Sequence, residues 1–212
     1  MNIHSGKDSS MCENNMSLHS AIQNRRSVYN IGRNVSITDE EIISLVNHSV
    51  KFEPTAFNSQ SARVAVLLGE HHKRLWEIAK EILHKLLPGG QYAKTEEKLN
   101  GFEAGYGTIL YFENQHTVNS LRLKYPIFAG TFPKWSLESS GMLQYSVWTS
   151  LEAIGLGASL QHYNPLIDKQ VRKEWDFPKN WKLIAEMPFG SLEKQPDEKT
   201  FLPLEERVKI FK

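Results

Sequence analysis

The segment from Ser136 to Ile154 sets Met142, Leu143, Tyr145, Val147, Trp148, Leu151 and Ala153 at helical spacing, and they cover more than one face of the cylinder. A helix that is apolar most of the way round belongs in the middle of a core or between two subunits. The rest of the chain has to be arranged around it. Its 212 residues are enough for one core that buries roughly 70% of the unfolded surface. With 25 basic and 24 acidic side chains the formal charge is +1, so no overall field selects nucleic acid or an anionic membrane. The single cysteine, Cys12, allows neither an internal disulfide nor a cysteine zinc site, which fits a reducing, cytoplasmic setting. No apolar run reaches the roughly 20 residues of a membrane span, and the N-terminus lacks a basic-then-apolar signal pattern.

Residues 1–15 are polar and without apolar period, and read as a disordered or tag-like tail ahead of a single domain over residues 16–212. Ser17 opens a first helix that runs into Arg25, Arg26 and Ser27. Thr38 with Glu41 forms a capping box for a second helix that ends before Pro54. Val64 to Leu68 reads as a buried strand. His72 to Leu87 is an amphipathic helix broken at Pro88-Gly89-Gly90, followed by a charged helical piece around Thr95 to Phe102. Thr108 to Phe112 reads as another buried strand, and Leu121 to Trp135 as an aromatic, proline-punctuated connection suited to a lid or pocket wall. After the long helix come a strand at Ala158 to His162, a helix at Pro165 to Trp175, a strand at Lys182 to Phe189 and a charged arm from Glu193. Helices and strands mixed in one size unit indicate an α+β or α/β fold with several covering helices.

Several familiar chemistries are missing. Gly155-Leu156-Gly157-Ala158 follows a helix and lacks the third glycine of a dinucleotide fingerprint, and there is no phosphate-loop lysine, HExxH pair or GxSxG elbow. His71 and His72 diverge by about 100° on a helix and read as solvated histidines at its start, so no metal site is expected. Arg25, Arg26 and Ser27 carry two guanidinium forks and a hydroxyl at a helix end, a set that can hold a phosphate or can simply be a solvated basic end. Pro54-Thr55-Ala56-Phe57-Asn58-Ser59-Gln60 is a small-polar loop able to hydrogen-bond a heterocycle, or an ordinary connection.

Taken together, RRSVYNI, PTAFNSQSARV and QYSVWTSLEAIGLGASLQHYNP resemble the nitroreductase family of flavoenzymes, in particular its short branch from fungi and lactic-acid bacteria, over nearly all of Ser17 to Lys212. The resemblance implies an α+β fold with a central, mostly antiparallel sheet covered by helices. It also implies an intertwined homodimer with FMN at the subunit interface and a C-terminal arm that crosses to the partner. Arg25 and Ser27 match the phosphate and ribityl contacts, and Arg26 the pyrimidine side, where a guanidinium would stabilise charge at flavin N1 and O2. Pro54, Thr55, Ala56 and Asn58, with Gln60 nearby, match the loop laid on the ring system by the second subunit. Gln161 and His162 match the strand end that approaches flavin N5 and O4. Lys199 fits a C-terminal phosphate lysine, while Phe201 stands where many members have arginine, leaving Arg207 or no second cation. Tyr29 likewise replaces a common basic residue. Tyr125, Phe128, Phe132 and Trp135 are placed by analogy as a wall for planar acceptors or as plain packing.

The implied activity is FMN-dependent, NAD(P)H-driven reduction of nitroaromatic or quinone-type acceptors by two-electron ping-pong transfer, with flavin N5 rather than a side chain carrying the chemistry. A flavin-binding regulatory or stress-response protein with incidental turnover is the main rival, and a dimer with an empty pocket is a third reading.

Overall fold

The structure is a computed structural model that describes residues 16–212; the expected tail over 1–15, with Cys12, lies outside the described residues. Five strands form the sheet: β1 (Ile31–Gly32), β2 (Ala62–Leu68), β3 (Gly107–Asn114), β4 (Gly157–Ala158) and β5 (Trp181–Leu192). The order is β1-β5-β3-β2, with β4 also paired to β5, and every named pairing is antiparallel. A parallel bridge from Ser27 to Ala158 ties the Arg25–Ser27 segment to β4.

β3 is hydrogen-bonded on both sides and buried from Gly107 to Glu113. Its period-2 alternation feeds two cores. Leu110 and Phe112, with Leu183 of β5, face Leu75, Trp76, Ala79 and Leu83 of α3 (Gly69–Leu86), Leu99 and Phe102 of α4 (Gly89–Glu103) and Val171 of α7 (Asp168–Glu174). Ile109 and Tyr111, with Ala185, Met187 and Phe189, face Ile42 and Val46 of α2 (Asp39–Phe52) and Leu143, Val147 and Leu151 of α6 (Phe132–Ala153). The sequence α6 was expected to form is therefore central, packed lengthwise along one face of the sheet. Gly155, at φ +80°, ends it in the left-handed region that a glycine adopts without steric cost.

The expected caps are present. The Ser17 hydroxyl accepts the Ser20 amide of α1 (Leu18–Asn24), and Thr38 and Glu41 cap each other's backbone amides at 3.2 and 2.9 Å. α2 ends at Phe52, before Pro54 as expected.

The expected break at Pro88-Gly89-Gly90 is present: α3 ends at Leu86, and Pro88 is the N-cap of α4, which takes in the charged helical piece and lies against α3 with the Trp76 and Phe102 rings 5.0 Å apart. Five expectations need correction. The connection before Trp135 contains a helix, α5 (Gln115–Lys124), because Asn114 at the end of β3 accepts the His116 and Thr117 amides and caps it. α6 begins at Phe132, four residues early, with Pro133 in its first turn where no amide is needed. Strand pairing after the long helix is confined to Gly157–Ala158 and a bridge at Gln161, and α7 is shorter than expected at both ends. Among the described residues β2 pairs only with β3, so it is a half-buried edge rather than a fully buried strand.

His72 also departs from the solvated reading. It is buried, with Nδ1 2.8 Å from the Thr108 hydroxyl and Nε2 3.2 Å from the Glu103 carbonyl, while Trp76 Nε1 donates to the same Thr108 oxygen at 3.0 Å. Burial lowers its pKa to about 4, so the folded state holds it neutral where the unfolded chain binds a proton. Stability from this group is present above the unfolded value of 6.5 and is lost as the pH falls toward 4. We therefore expect the unfolding free energy of wild type relative to His72→Gln to fall by up to about 1.4 kcal/mol per pH unit over that window, read by urea titration; a pH-independent difference contradicts a neutral buried His72.

Candidate functional site

The C-terminal end of α1 and the start of the arm meet around a cavity of about 390 Å³. Arg25, Arg26 and Ser27 form one wall and Lys194, Asp197 and Lys199 the other, with Tyr29 between them. The two walls are drawn together by the Glu193 amide donating to the Asn30 carbonyl at 3.1 Å and by Arg26 Nη2 donating to the Asp197 carbonyl. Arg25 is braced from α6: its guanidinium lies 4.3 Å from the Trp148 ring centroid, and its charge partly offsets the burial that raises the Glu152 carboxyl. Its Nε is buried without a partner among the described residues. Four cations against one carboxylate, with an unused buried donor, suit a phosphate-bearing ligand, and the volume is within the range of small-molecule sites.

Val28, whose amide donates to the Ala158 carbonyl at 2.9 Å, carries this segment onto β4 and so toward Gln161 and His162. Gln161 exchanges both backbone hydrogen bonds with Glu186 of β5, at 2.7 and 3.0 Å, and its side chain donates to Ser159; His162 is exposed. Glu186 is fully buried, and its Oε2 accepts the Tyr163 amide at 2.9 Å. Burial pushes its carboxyl up to about 8, against that hydrogen bond. Burial, and after it Glu186 and Tyr29, push the Tyr163 phenol up to about 12.

A second group of expected residues gathers elsewhere. Pro54, Thr55, Ala56, Asn58 and Gln60 lie on one loop whose 3-10 turn (Ala56–Asn58) presents the Phe57 ring, half exposed, to the aromatic segment. Phe57 lies 4.9 Å from Tyr125, 6.1 Å from Phe128 and 5.4 Å from Phe132, and is stacked on Trp135 at 5.9 Å. All four aromatic residues singled out from sequence thus converge, on a fifth ring that was not. Phe57, Asn58 and Gln60 all have positive φ, at 57°, 49° and 46°. Such a conformation costs on the order of 1–3 kcal/mol at each non-glycine residue and persists only where its surroundings over-determine it. Within the loop, Thr55 Oγ1 accepts the Gln60 amide at 3.1 Å and Gln60 Nε2 donates to Asn58 Oδ1 at 3.1 Å.

The aromatic bay and the cationic cavity share no lining residue. Lys199 joins Arg25–Ser27 as expected, whereas Arg207 is exposed on α8 (Leu204–Arg207) and does not line the cavity. Phe201 is also exposed, with the Lys199 ammonium 5.3 Å from its ring. Sequence reasoning missed Phe57, Lys194 and the buried carboxylates Glu113 and Glu186. Glu186 lies inside the expected strand Lys182 to Phe189, between the core residues Ala185 and Met187, whereas Glu113 directly follows the apolar run Thr108 to Phe112. Among the described residues no helix is long and apolar enough to cross a membrane.

Comparison with known proteins agrees with this fold. The pattern of the nitroreductase family matches residues 22–191. Nitroreductase FRM2 of Saccharomyces cerevisiae is 32% identical over 184 residues, covering 86% of this chain and 91% of its own. The structure of nitroreductase CinD from Lactococcus lactis with chloramphenicol superposes with a TM-score of 0.83 at 42% identity, covering 92% of this chain and all of CinD, and the same protein is known with 4-nitrophenol. A nitroreductase structure from Exiguobacterium sibiricum in complex with FMN shares the fold, with a TM-score of 0.71 at 15% identity, covering 95% of this chain and all of its own. The sheet of five strands between two helical layers is the nitroreductase-like fold, and the chain belongs to the nitroreductase family.

Proposed function

We propose that the chain is an FMN-dependent NAD(P)H oxidoreductase that reduces nitroaromatic or quinone-type acceptors by two-electron ping-pong transfer. The observation that carries this reading is the cationic cavity at Arg25, Arg26, Ser27 and Lys199, with the unpartnered Arg25 Nε inside a set of donors suited to the FMN phosphate. A fold relative known with FMN and a closer relative known with 4-nitrophenol support the cofactor and the acceptor class. Bound FMN would supply hydride acceptance and donation at N5, which asks for no side-chain acid or base. The residues of this chain bind, orient and exclude water. Arg25, Ser27 and Lys199 hold the phosphate and ribityl chain, Arg26 offers positive charge beside the pyrimidine ring, and the Gln161–His162 backbone borders the reacting edge. Pro54 to Gln60 cover the ring system, while Phe57 with the Tyr125, Phe128, Phe132 and Trp135 rings takes planar acceptors by stacking.

The proposal includes a homodimer of chains whose residues 16–212 form one domain, in which the bay of one protomer would complete the cavity of its partner, since the two share no lining residue within one chain. Surface apolarity supports it. Leu18 and Ile22 of α1 and Leu137, Met142 and Tyr145 of α6 are exposed, and so are Phe201, Leu202, Leu204, Val208, Ile210 and Phe211 of the arm. An arm of that character, crossing to the open edge of a partner's β2, would cover both. A cytoplasmic location belongs to the same reading.

Anaerobic titration tests it: the FMN-loaded protein should bleach with NADH or NADPH and regain its colour with 4-nitrophenol or a quinone. A yellow protein inert to both dinucleotides would instead favour the flavin-binding regulator, for which the absence of basic residues at Tyr29 and Phe201 speaks. Arg25→Ala should raise the FMN Kd about 10- to 100-fold, the loss of a charge-assisted hydrogen bond of about 1.5–3 kcal/mol, measured by flavin fluorescence quenching. Phe57→Ala should raise KM for a nitroaromatic about two- to tenfold through loss of an aromatic contact of about 0.5–1.5 kcal/mol, leaving the FMN Kd within a factor of two.

A further inference from the structure

Both ends of the strained Pro54–Ser61 loop run into one buried carboxylate. At the exit, Ser61 is buried and its hydroxyl donates to Glu113 Oε2 at 2.6 Å, while its carbonyl accepts the Asn114 amide at 2.9 Å. At the entrance, Glu53 caps the end of α2 and lies close enough to Glu113 for the two carboxyls to repel, each with a buried Oε1 that has no partner among the described residues. Arg63 Nη1 hooks the loop's last turn by donating to the Gln60 carbonyl at 2.9 Å, and its charge also bears on Glu113. On the α6 side, the Ser136 hydroxyl, which donates to the Pro133 carbonyl at 3.2 Å, also lowers the Glu113 carboxyl. Ser61 and Ser136 line one small cavity together with Ala56 of the loop and with Phe132 and Trp135 of the aromatic bay. Glu113 is thus the point at which α2, β2, β3 and α6 meet, at the exit of the loop that carries Phe57.

We propose that Glu113, through Ser61 and alongside Glu53, is the positioning residue that holds the Pro54–Ser61 loop in its left-handed conformation and so sets the acceptor affinity of the Phe57 bay. The acceptor part rests on the function proposed above; the loop part does not.

The clamp needs a proton. Burial, opposed by Ser61, Ser136 and Arg63, raises the Glu113 carboxyl to about 7, and burial followed by the Glu113 charge raises Glu53 to about 8. Tyr111, the remaining titratable group nearby, is buried and stays neutral. With the loop open and the carboxyls hydrated, both would titrate near 4.5. The closed clamp therefore binds more protons than the open one between pH 4.5 and about 8, and closure weakens as the pH rises through that window.

Hydrogen exchange of the loop amides tests the loop part without flavin or turnover. The Asn58, Ser59 and Gln60 amides, bonded to the Thr55 carbonyl, the Ala56 carbonyl and Thr55 Oγ1, report closure. At pH 6.5, Glu113→Ala and Ser61→Ala should speed their exchange at least tenfold over wild type, while Glu113→Gln, which keeps the acceptor and mimics the neutral acid, stays within about threefold. After correction for intrinsic rates, wild-type exchange should accelerate from pH 5 to 8 and Glu113→Gln should lose at least half of that slope. In the FMN-loaded enzyme the two disruptive variants should raise KM for 4-nitrophenol about tenfold with kcat changed less than twofold. Wild-type exchange rates in both Glu113→Ala and Ser61→Ala overturn the proposal, as does an unchanged KM in an active, loosened enzyme. If Glu113→Ala does not fold, Ser61→Ala, which removes one hydroxyl, decides alone. A wild type inert to dinucleotides removes the function proposed above and leaves the exchange result standing.

Discussion

A central strand with no solvent-facing side governs this molecule. β3 is paired on both edges and covered on both faces, so every polar group along it has to find its partner inside the protein. Thr108 finds His72 and Trp76, and so fixes the first turns of α3 to the sheet. Glu113 finds Ser61, and so fixes the far end of the small-polar loop. The same rule operates on β5, where Glu186 finds the Tyr163 amide and fixes the segment after Gln161 and His162. Three buried polar side chains in an otherwise apolar sheet thus each anchor a different piece of backbone. Two of those pieces border the candidate site.

This arrangement explains why acids sit where hydrophobic residues would be simpler. A leucine at Glu113 or Glu186 would bury more apolar area and avoid a desolvation penalty, but it would leave the Ser61 hydroxyl or the Tyr163 amide without an acceptor. The raised carboxyl pKa values are the visible residue of that compromise. They are produced chiefly by burial, and the hydrogen bonds from Ser61 and Tyr163 hold them below what burial alone would give.

Much of this was legible in the residues. The Ser17 cap and the Thr38–Glu41 box announced two helices because capping is local chemistry, readable within four positions. The all-round apolarity of Ser136 to Ile154 correctly implied a central helix. The Arg25–Ser27 cluster is legible as two guanidinium forks and a hydroxyl at a helix end, but its partner Lys199 is reached only through resemblance, since residues 172 positions apart carry no local signal of meeting. What escaped were features decided by tertiary context. α5 is capped by an asparagine that also ends a strand, so its start was hidden inside another element. His72 looked like a surface histidine until the sheet supplied Thr108. Glu113 closes an apolar run, where an acid ordinarily marks emergence into water, and only the α6 layer above it turns that position inward.

Phe57 stands at φ +57°, in a backbone region where asparagine or glycine would rest more comfortably. Its aromatic ring, however, is the hub that four neighbouring rings surround. Thermodynamic ease and the shape of the bay therefore pull this position toward different amino acids. A library of variants screened only for heat resistance would drift away from phenylalanine here, and the survivors would be sturdier proteins with a bay that has lost its floor.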